Sequence, residues 1–179
     1  GNYFKNLLRA FGSNNIAAPS YAQCRGPREE AYMLTFGAGV GSPERTDIIN
    51  SKCLVLIGSH LGENMHNGQV QEFTDAISNG CSVITVDPRF STAASKSKYW
   101  LPIRPATDLA LLLAWIHVII NEDLYDIPYV EKNTLGFEQL KHHVKRFTPE
   151  WAYPITTIKP HIIRETAREI AKHAPATII

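Results

Sequence analysis

Cys53-Leu54-Val55-Leu56-Ile57-Gly58 decides the fold. Its five consecutive apolar residues leave no polar face, which predicts a strand buried on both sides, as in parallel sheets with helices above and below. Val83-Ile84-Thr85-Val86-Asp87 has the same character. Between the two, Val70, Phe73, Ala76 and Ile77 share one helical face and Gly80 closes the helix, giving a strand–helix–strand unit. Toward the C-terminus, Leu101-Pro102-Ile103 reads as a short extended piece before a helix that starts near Thr107-Asp108. The apolar run from Leu109 to Ile120 is about a dozen residues long, whereas a bilayer span needs about twenty, so it is expected to be a buried helix. Ile162, Ile163, Ala167 and Ile170 form another helical face, followed by the strand-like Thr177-Ile178-Ile179. This alternation predicts an α/β fold: a doubly wound, mainly parallel, Rossmann-like sheet with helices on both faces and ligands at the carboxyl ends of the strands.

The remaining segments are less regular. From about 124 to 151, Tyr125, Tyr129, Phe137, Phe147 and Trp151 are scattered among charges, as expected of a helical excursion over the sheet. His142 and His143 are adjacent and cannot share a helical face as a ligand pair, so they read as solvated. At the other end, Tyr3, Phe4, Leu7, Leu8 and Phe11 are spaced for a helix that stops at Gly12-Ser13-Asn14-Asn15. Gly37-Ala38-Gly39-Val40-Gly41 reads as a loop. In Cys24-Arg25-Gly26-Pro27-Arg28-Glu29-Glu30, Gly26 and Pro27 open a helix. A sulfur at a helix N-terminus beside Arg25 and Arg28 is expected to ionise easily and could hold a soft metal; the alternative is a small buried apolar residue.

Composition narrows the classes of function. The chain has 179 residues, 44% of them hydrophobic, enough for one core and one domain over 1–179. Its first residues lack a starting methionine and its last ones break off in a strand, so it is expected to be a fragment of a larger multidomain enzyme. A net charge of +1, from 18 basic and 17 acidic residues, provides no field to attract nucleic acid or an anionic membrane. Cys24, Cys53 and Cys81 lack the number and spacing of a disulfide framework or zinc knuckle.

Three strand ends carry polar residues. At Gly58-Ser59-His60-Leu61-Gly62-Glu63-Asn64, small residues allow a backbone to approach a ligand and the following helix offers N–H groups to phosphate. At Asp87-Pro88-Arg89-Phe90-Ser91-Thr92, the acid could bind ribose hydroxyls while Arg89, Ser91 and Thr92 meet phosphate; the competing reading is a turn with Asp87 as a cap. At Arg104-Pro105-Ala106-Thr107-Asp108, Thr107 or Asp108 would make a good helix cap. A carboxylate there could equally accept the N1–H and N2–H of guanine, which makes Asp108 a candidate guanine reader.

With these pieces in order, the chain resembles the molybdopterin oxidoreductases of the dimethyl-sulfoxide-reductase superfamily. The resemblance runs through Gly58-Ser59-His60-Leu61-Gly62-Glu63, Val86-Asp87-Pro88-Arg89-Phe90-Ser91 and Arg104-Pro105-Ala106-Thr107-Asp108-Leu109-Ala110-Leu111. Within the superfamily it looks closest to the catalytic subunits of polysulfide and thiosulfate reductases. The resemblance implies a Mo-bis(molybdopterin guanine dinucleotide) cofactor, with Cys24 as the protein ligand to molybdenum and Arg25 beside it in the catalytic stretch. It further implies that Gly58, His60, Glu63, Asp87, Arg89 and Thr92 touch one dinucleotide and that Asp108 reads its guanine.

The same likeness implies anaerobic respiration on the periplasmic side of the bacterial inner membrane. Electrons would come from an iron–sulfur subunit and an integral membrane subunit that oxidises quinol, and a small sulfur compound would be the substrate. Relatives carry an N-terminal [4Fe-4S] segment, a C-terminal cofactor domain and an active-site arginine beyond the last strand, so this piece is expected to be inactive alone. Two departures stand out: many relatives have asparagine in place of His60 and glycine in place of Ala106. Rival expectations are an arsenate, tetrathionate or formate enzyme of the superfamily, or a noncatalytic nucleotide-binding module in which Asp87 and Asp108 bind ligand and Cys24 holds no metal. A third is a structural doubly wound domain without a ligand.

Overall fold

The computed structural model describes residues 2–13, 15, 26–38, 46–61 and 67–179. Its contacts divide the chain into two compact units, Gly1–Arg45 and Thr46–Ile179. In the first unit, α1 (Asn2–Ala10) and α2 (Gly26–Phe36) are ended by glycines with positive φ, Gly12 at 85° and Gly37 at 73°. The left-handed turn lets the chain return N–H groups to the last helical carbonyls, as Ser13 does to Leu8 (2.9 Å) and Gly37 to Met33 (2.9 Å).

The second unit is built on β1 (Cys53–Ile57), β2 (Ser82–Val86), β3 (Tyr99–Leu101) and β4 (Ala176–Ile178). All pairings are parallel, in the order β3-β2-β1-β4. The chain winds outward from β1 through β2 to β3, then returns to place β4 on the other side of β1. A crevice opens at such a reversal, outside the carboxyl ends of the strands, and there open α/β sheets receive ligands.

Alternation along β1 and β2 feeds two cores. Cys53 and Val55 with Ile84, Val86 and Leu101 pack on Leu111, Ala114, Trp115 and Val118 of α5 and on Ile163 and Ala167 of α9. Leu54, Leu56 and Val83 face the other way, toward Phe73 and Ala76 of α3 and Ala93 of α4. Here α3 is Val70–Ser78, α4 Thr92–Ser95, α5 Asp108–Asn121 and α9 Pro160–Lys172. Both faces of the sheet are therefore covered, as the unbroken apolar runs require. Between α5 and α9, the buried indole of Trp115 donates to Thr166 Oγ1 at 2.8 Å.

The third strand lies earlier than the sequence suggests. β3 is Tyr99–Leu101, because Pro102 has no N–H to donate and the Ile103 N–H turns back to the Leu101 carbonyl at 2.8 Å. The excursion after α5 is helical, as expected: α6 (Ile127–Asn133), α7 (Phe137–Val144) and α8 (Pro149–Thr156). Asp126 caps α6 and Thr148 caps α8. Much of its apolar surface meets α5 rather than the sheet: Val144 and Phe147 gather with Ile120 in a third small core. His142 and His143 are exposed on α7.

Candidate functional site

The carboxyl edge begins where β1 ends. Gly58 adopts φ 58°, which a side chain tolerates poorly, and its N–H donates to the Val86 carbonyl at 3.0 Å, tying the ends of β1 and β2 together. A Cβ at this position would meet nothing within 4 Å among the described residues, which leaves the backbone here open to close approach. Ser59 follows, its buried Oγ without a hydrogen-bond partner among the described residues. Residues 62–66 lie outside the described residues, and the chain is next described in a 3₁₀ turn at Asn67–Gln69 that leads into α3 at Val70. The expected strand-to-helix phosphate turn therefore falls largely outside the described residues.

Asp87, at the end of β2, is only 3% exposed. Its two oxygens differ. Oδ1 accepts the Arg89 N–H at 2.8 Å, so the turn reading of this segment is realised. Oδ2 is buried without a hydrogen-bond partner among the described residues. Nδ1 of His60 lies 3.4 Å from it. That nitrogen is also 3.0 Å from Nη2 of Arg89. Guanidinium only donates, so where Arg89 holds this bond Nδ1 is the acceptor and does not donate to Asp87. A buried carboxylate oxygen is left facing an acceptor, an arrangement that a hydroxyl donor would relieve.

Neighbouring elements hold Asp87 in place. Its N–H donates to the Leu101 carbonyl at 3.1 Å, and its own carbonyl accepts the indole N–H of Trp100 at 2.8 Å. Sequence reasoning missed Trp100; the available signal was a large aromatic on a short strand beside a polar strand end. Ser91 is buried as the cap of α4, its Oγ accepting the Ala94 N–H at 3.2 Å, so one of the hydroxyls expected to meet phosphate already has a structural role. Thr92 is exposed at the first position of α4 and Asp108 half-buried at the first position of α5.

The capping expectation for α5 holds in position but not in hydrogen bonding. Thr107 occupies the cap position, but its hydroxyl donates to the Arg104 carbonyl at 2.6 Å and caps nothing, while Asp108 is already inside the helix. Just before them, Ala106 adopts φ 64°, a left-handed conformation that explains why glycine suits this position. The structure therefore brings Gly58, His60, Asp87 and Arg89 together, with Thr92 and Asp108 opening the helices that follow β2 and β3. Cys24, Arg25 and Glu63 lie outside the described residues.

The model of the family described as molybdopterin oxidoreductase matches residues 2–174. The chain belongs to the molybdopterin oxidoreductase family. It is 37% identical over 174 residues to the thiosulfate reductase molybdopterin-containing subunit PhsA of Salmonella typhimurium, covering 97% of this chain and 22% of that protein. It is 35% identical over 144 residues to the alpha subunit of an F420-dependent formate dehydrogenase from Methanocaldococcus jannaschii, covering 80% of this chain and 21% of that one. Among solved structures, acetylene hydratase from Pelobacter acetylenicus superposes with a TM-score of 0.81 at 34% identity, over 98% of this chain and 24% of that one. The chain thus spans less than a quarter of the length of these relatives.

Membership of the molybdopterin oxidoreductases implies a molybdenum–pterin cofactor, and the described residues fit the polar part of such a group. Among the described residues Asp87 Oδ2 has no hydrogen-bond partner and suits a hydroxyl, the Ser59 hydroxyl has none and suits an acceptor or donor, and the room at Gly58 suits close backbone approach. Among the described residues no cluster of three or more His, Cys, Asp and Glu side chains could hold a metal ion. Burial pushes the Cys53 thiol up to about 12, with the nearby Cys81 and Glu169 adding to the effect against Lys98. Burial likewise raises Cys81, so both thiols stay protonated at neutral pH.

The amino edge of the same sheet is also polar. Glu169 of α9 accepts hydrogen bonds from Ser82 Oγ at 2.6 Å and Lys98 Nζ at 2.7 Å, with His173 Nδ1 at 3.4 Å. Burial pushes the Glu169 carboxyl up, yet the hydrogen bonds from Lys98 and Ser82 and the charges of Lys98 and His173 outweigh it and hold the group below its usual value.

Proposed function

We propose that this chain is the dinucleotide-binding part of the catalytic subunit of a Mo-bis(molybdopterin guanine dinucleotide) enzyme that reduces a sulfur compound, thiosulfate or polysulfide. The observation that carries the reading is the buried Oδ2 of Asp87, without a hydrogen-bond partner among the described residues, at the carboxyl end of β2 beside the sheet's reversal in a member of the molybdopterin oxidoreductase family. Asp87 would accept a ribose hydroxyl; Gly58, His60, Glu63, Arg89 and Thr92 would border the same nucleotide, with the arginine fork directed to phosphate. Asp108, at the start of α5, would accept the N1–H and N2–H of guanine. Cys24 would hold molybdenum through its thiolate, with Arg25 favouring that ionised form.

When bound, the metal centre supplies two-electron transfer, and the protein supplies position and field. Reductive cleavage of thiosulfate consumes two electrons and two protons and yields HS⁻ and HSO₃⁻. In this reading the electrons arrive from a [4Fe-4S] segment of the same protein, fed by an iron–sulfur subunit and a membrane subunit that oxidises quinol on the periplasmic face. A second reading, another reaction on the same cofactor, is favoured by the likeness to a formate dehydrogenase and to acetylene hydratase. In both readings this segment holds the cofactor, and the substrate is chosen by other parts of the longer protein.

The test is Cys24→Ala in the full-length enzyme. The variant is expected to retain guanine nucleotide at wild-type stoichiometry, to lose turnover, and to lose one sulfur from the molybdenum X-ray absorption signal. Unchanged turnover would reject Cys24 as ligand. A wild-type enzyme that reduces neither thiosulfate nor polysulfide would favour the second reading.

A further inference from the structure

Phe90 has no part in the functions assigned above, and Trp100 has only that of holding Asp87 in place. Phe90 is 61% exposed and Trp100 37% exposed, although they are among the largest apolar side chains of the unit. Phe90 belongs to the loop after β2 and Trp100 to the edge strand β3; their rings meet edge to face with centroids 4.8 Å apart. Single exposed apolar residues are ordinary, but here two are joined, and one is held in place. The Trp100 indole N–H is bonded at 2.8 Å to the carbonyl of Asp87, whose buried Oδ2 has no hydrogen-bond partner among the described residues. The orientation of the aromatic pair is thereby coupled to that strand end.

We propose that Phe90 and Trp100 form an aromatic ledge that receives the purine ring of the guanine nucleotide whose ribose Asp87 holds. The inference rests on the guanine-dinucleotide reading and adds a base contact to it. A purine is one glycosidic bond from its sugar, so a ribose held at Asp87 keeps the base within reach of side chains anchored on the same residue. Stacking on an aromatic ring is available to every base because each has a π face. The ledge therefore contributes affinity without choosing the base, whereas hydrogen bonding at Asp108 would choose guanine. The two contributions are separable.

The experiment uses the full-length enzyme stripped of cofactor and titrates it with GMP, AMP and ribose 5-phosphate. Phe90→Leu keeps an apolar side chain of similar bulk at an exposed position. It is expected to weaken both GMP and AMP about tenfold while leaving ribose 5-phosphate unchanged, and Phe90→Tyr is expected to restore them. Trp100→Phe, which also removes the hydrogen bond to Asp87, is expected to weaken all three probes. If Phe90→Leu leaves GMP affinity unchanged, or weakens ribose 5-phosphate equally, the pair is a structural cover and the ledge is rejected while the nucleotide reading stands. If the wild-type protein fails to bind GMP, the nucleotide reading falls and the ledge with it.

Discussion

Asp87 and Glu169 are both buried carboxylates, 3% and 8% exposed, at opposite ends of one parallel sheet. Each has a histidine 3.4 Å away, and a cation takes part in each cluster. Their hydrogen bonds separate them. At the amino end, Ser82 and Lys98 converge on Glu169 and the charge is compensated within the fold. At the carboxyl end, Asp87 spends one oxygen on its own turn and leaves the other without a donor among the described residues. A satisfied buried charge fastens a helix to a sheet, while an unsatisfied one costs stability that a ligand can recover. The same residue type therefore has a structural part at one end of the strands and a binding part at the other.

The strongest way to break this contrast is a crossed pair of substitutions in the full-length protein. Asp87→Ala is expected to weaken retention of guanine nucleotide by about 100-fold, the worth of a hydrogen bond to a charged acceptor, with little loss of thermal stability. Glu169→Ala is expected to do the reverse, costing about 2 kcal/mol of stability and leaving nucleotide content intact. Guanine nucleotide released on denaturation and thermal melting together decide the matter; equal effects on both readouts would erase the distinction.

A smaller effect sharpens the amino end. The Glu169 carboxyl is held below its usual value, so its contribution to stability is present above about pH 4.5 and is lost as pH falls through its folded value. Lys98 is raised above 10.5, chiefly by its hydrogen bond to Glu169, so its contribution is present below that pH and is lost as pH rises through the folded value. Melting temperature is expected to fall at both extremes, and Glu169→Gln is expected to flatten both limbs. An unchanged pH profile in that variant would show the cluster to be energetically idle.

The smallest expected effect lies beside the candidate guanine reader. Ala106 is held at φ 64°, where a Cβ crowds the backbone. Ala106→Gly is expected to raise stability by about 1 kcal/mol, measured by denaturant unfolding; a loss would mean that contacts of the methyl outweigh the strain.

Much of this architecture could be read from residue order. Cys53–Ile57 and Val83–Val86 are apolar on both faces, which demands helices on both faces, and the glycines at 12, 37 and 80 mark helix ends because a left-handed turn suits them. β3 was displaced because an apolar triad was read through Pro102, which ends hydrogen bonding rather than extending it. Thr107 was a reasonable cap by type, but its hydroxyl found the Arg104 carbonyl first. Lys98 sent no signal and Trp100 only that of a large aromatic beside a polar strand end, since their significance depends on what the neighbouring strand and α9 bring to them.

Residue order alone determined the alternation of strands and helices, the burial of the sheet on two sides and the polar character of its carboxyl edge, because side-chain periodicity and turn chemistry are local. Only the tertiary structure decided which carboxylate is satisfied. Whether Asp87 or Glu169 meets a donor depends on groups as far away in the chain as His60 and Lys98, and on the register that aligns Thr85 with Trp100. Hydrogen-bond satisfaction is a property of three-dimensional neighbours at about 3 Å, which sequence spacing does not encode.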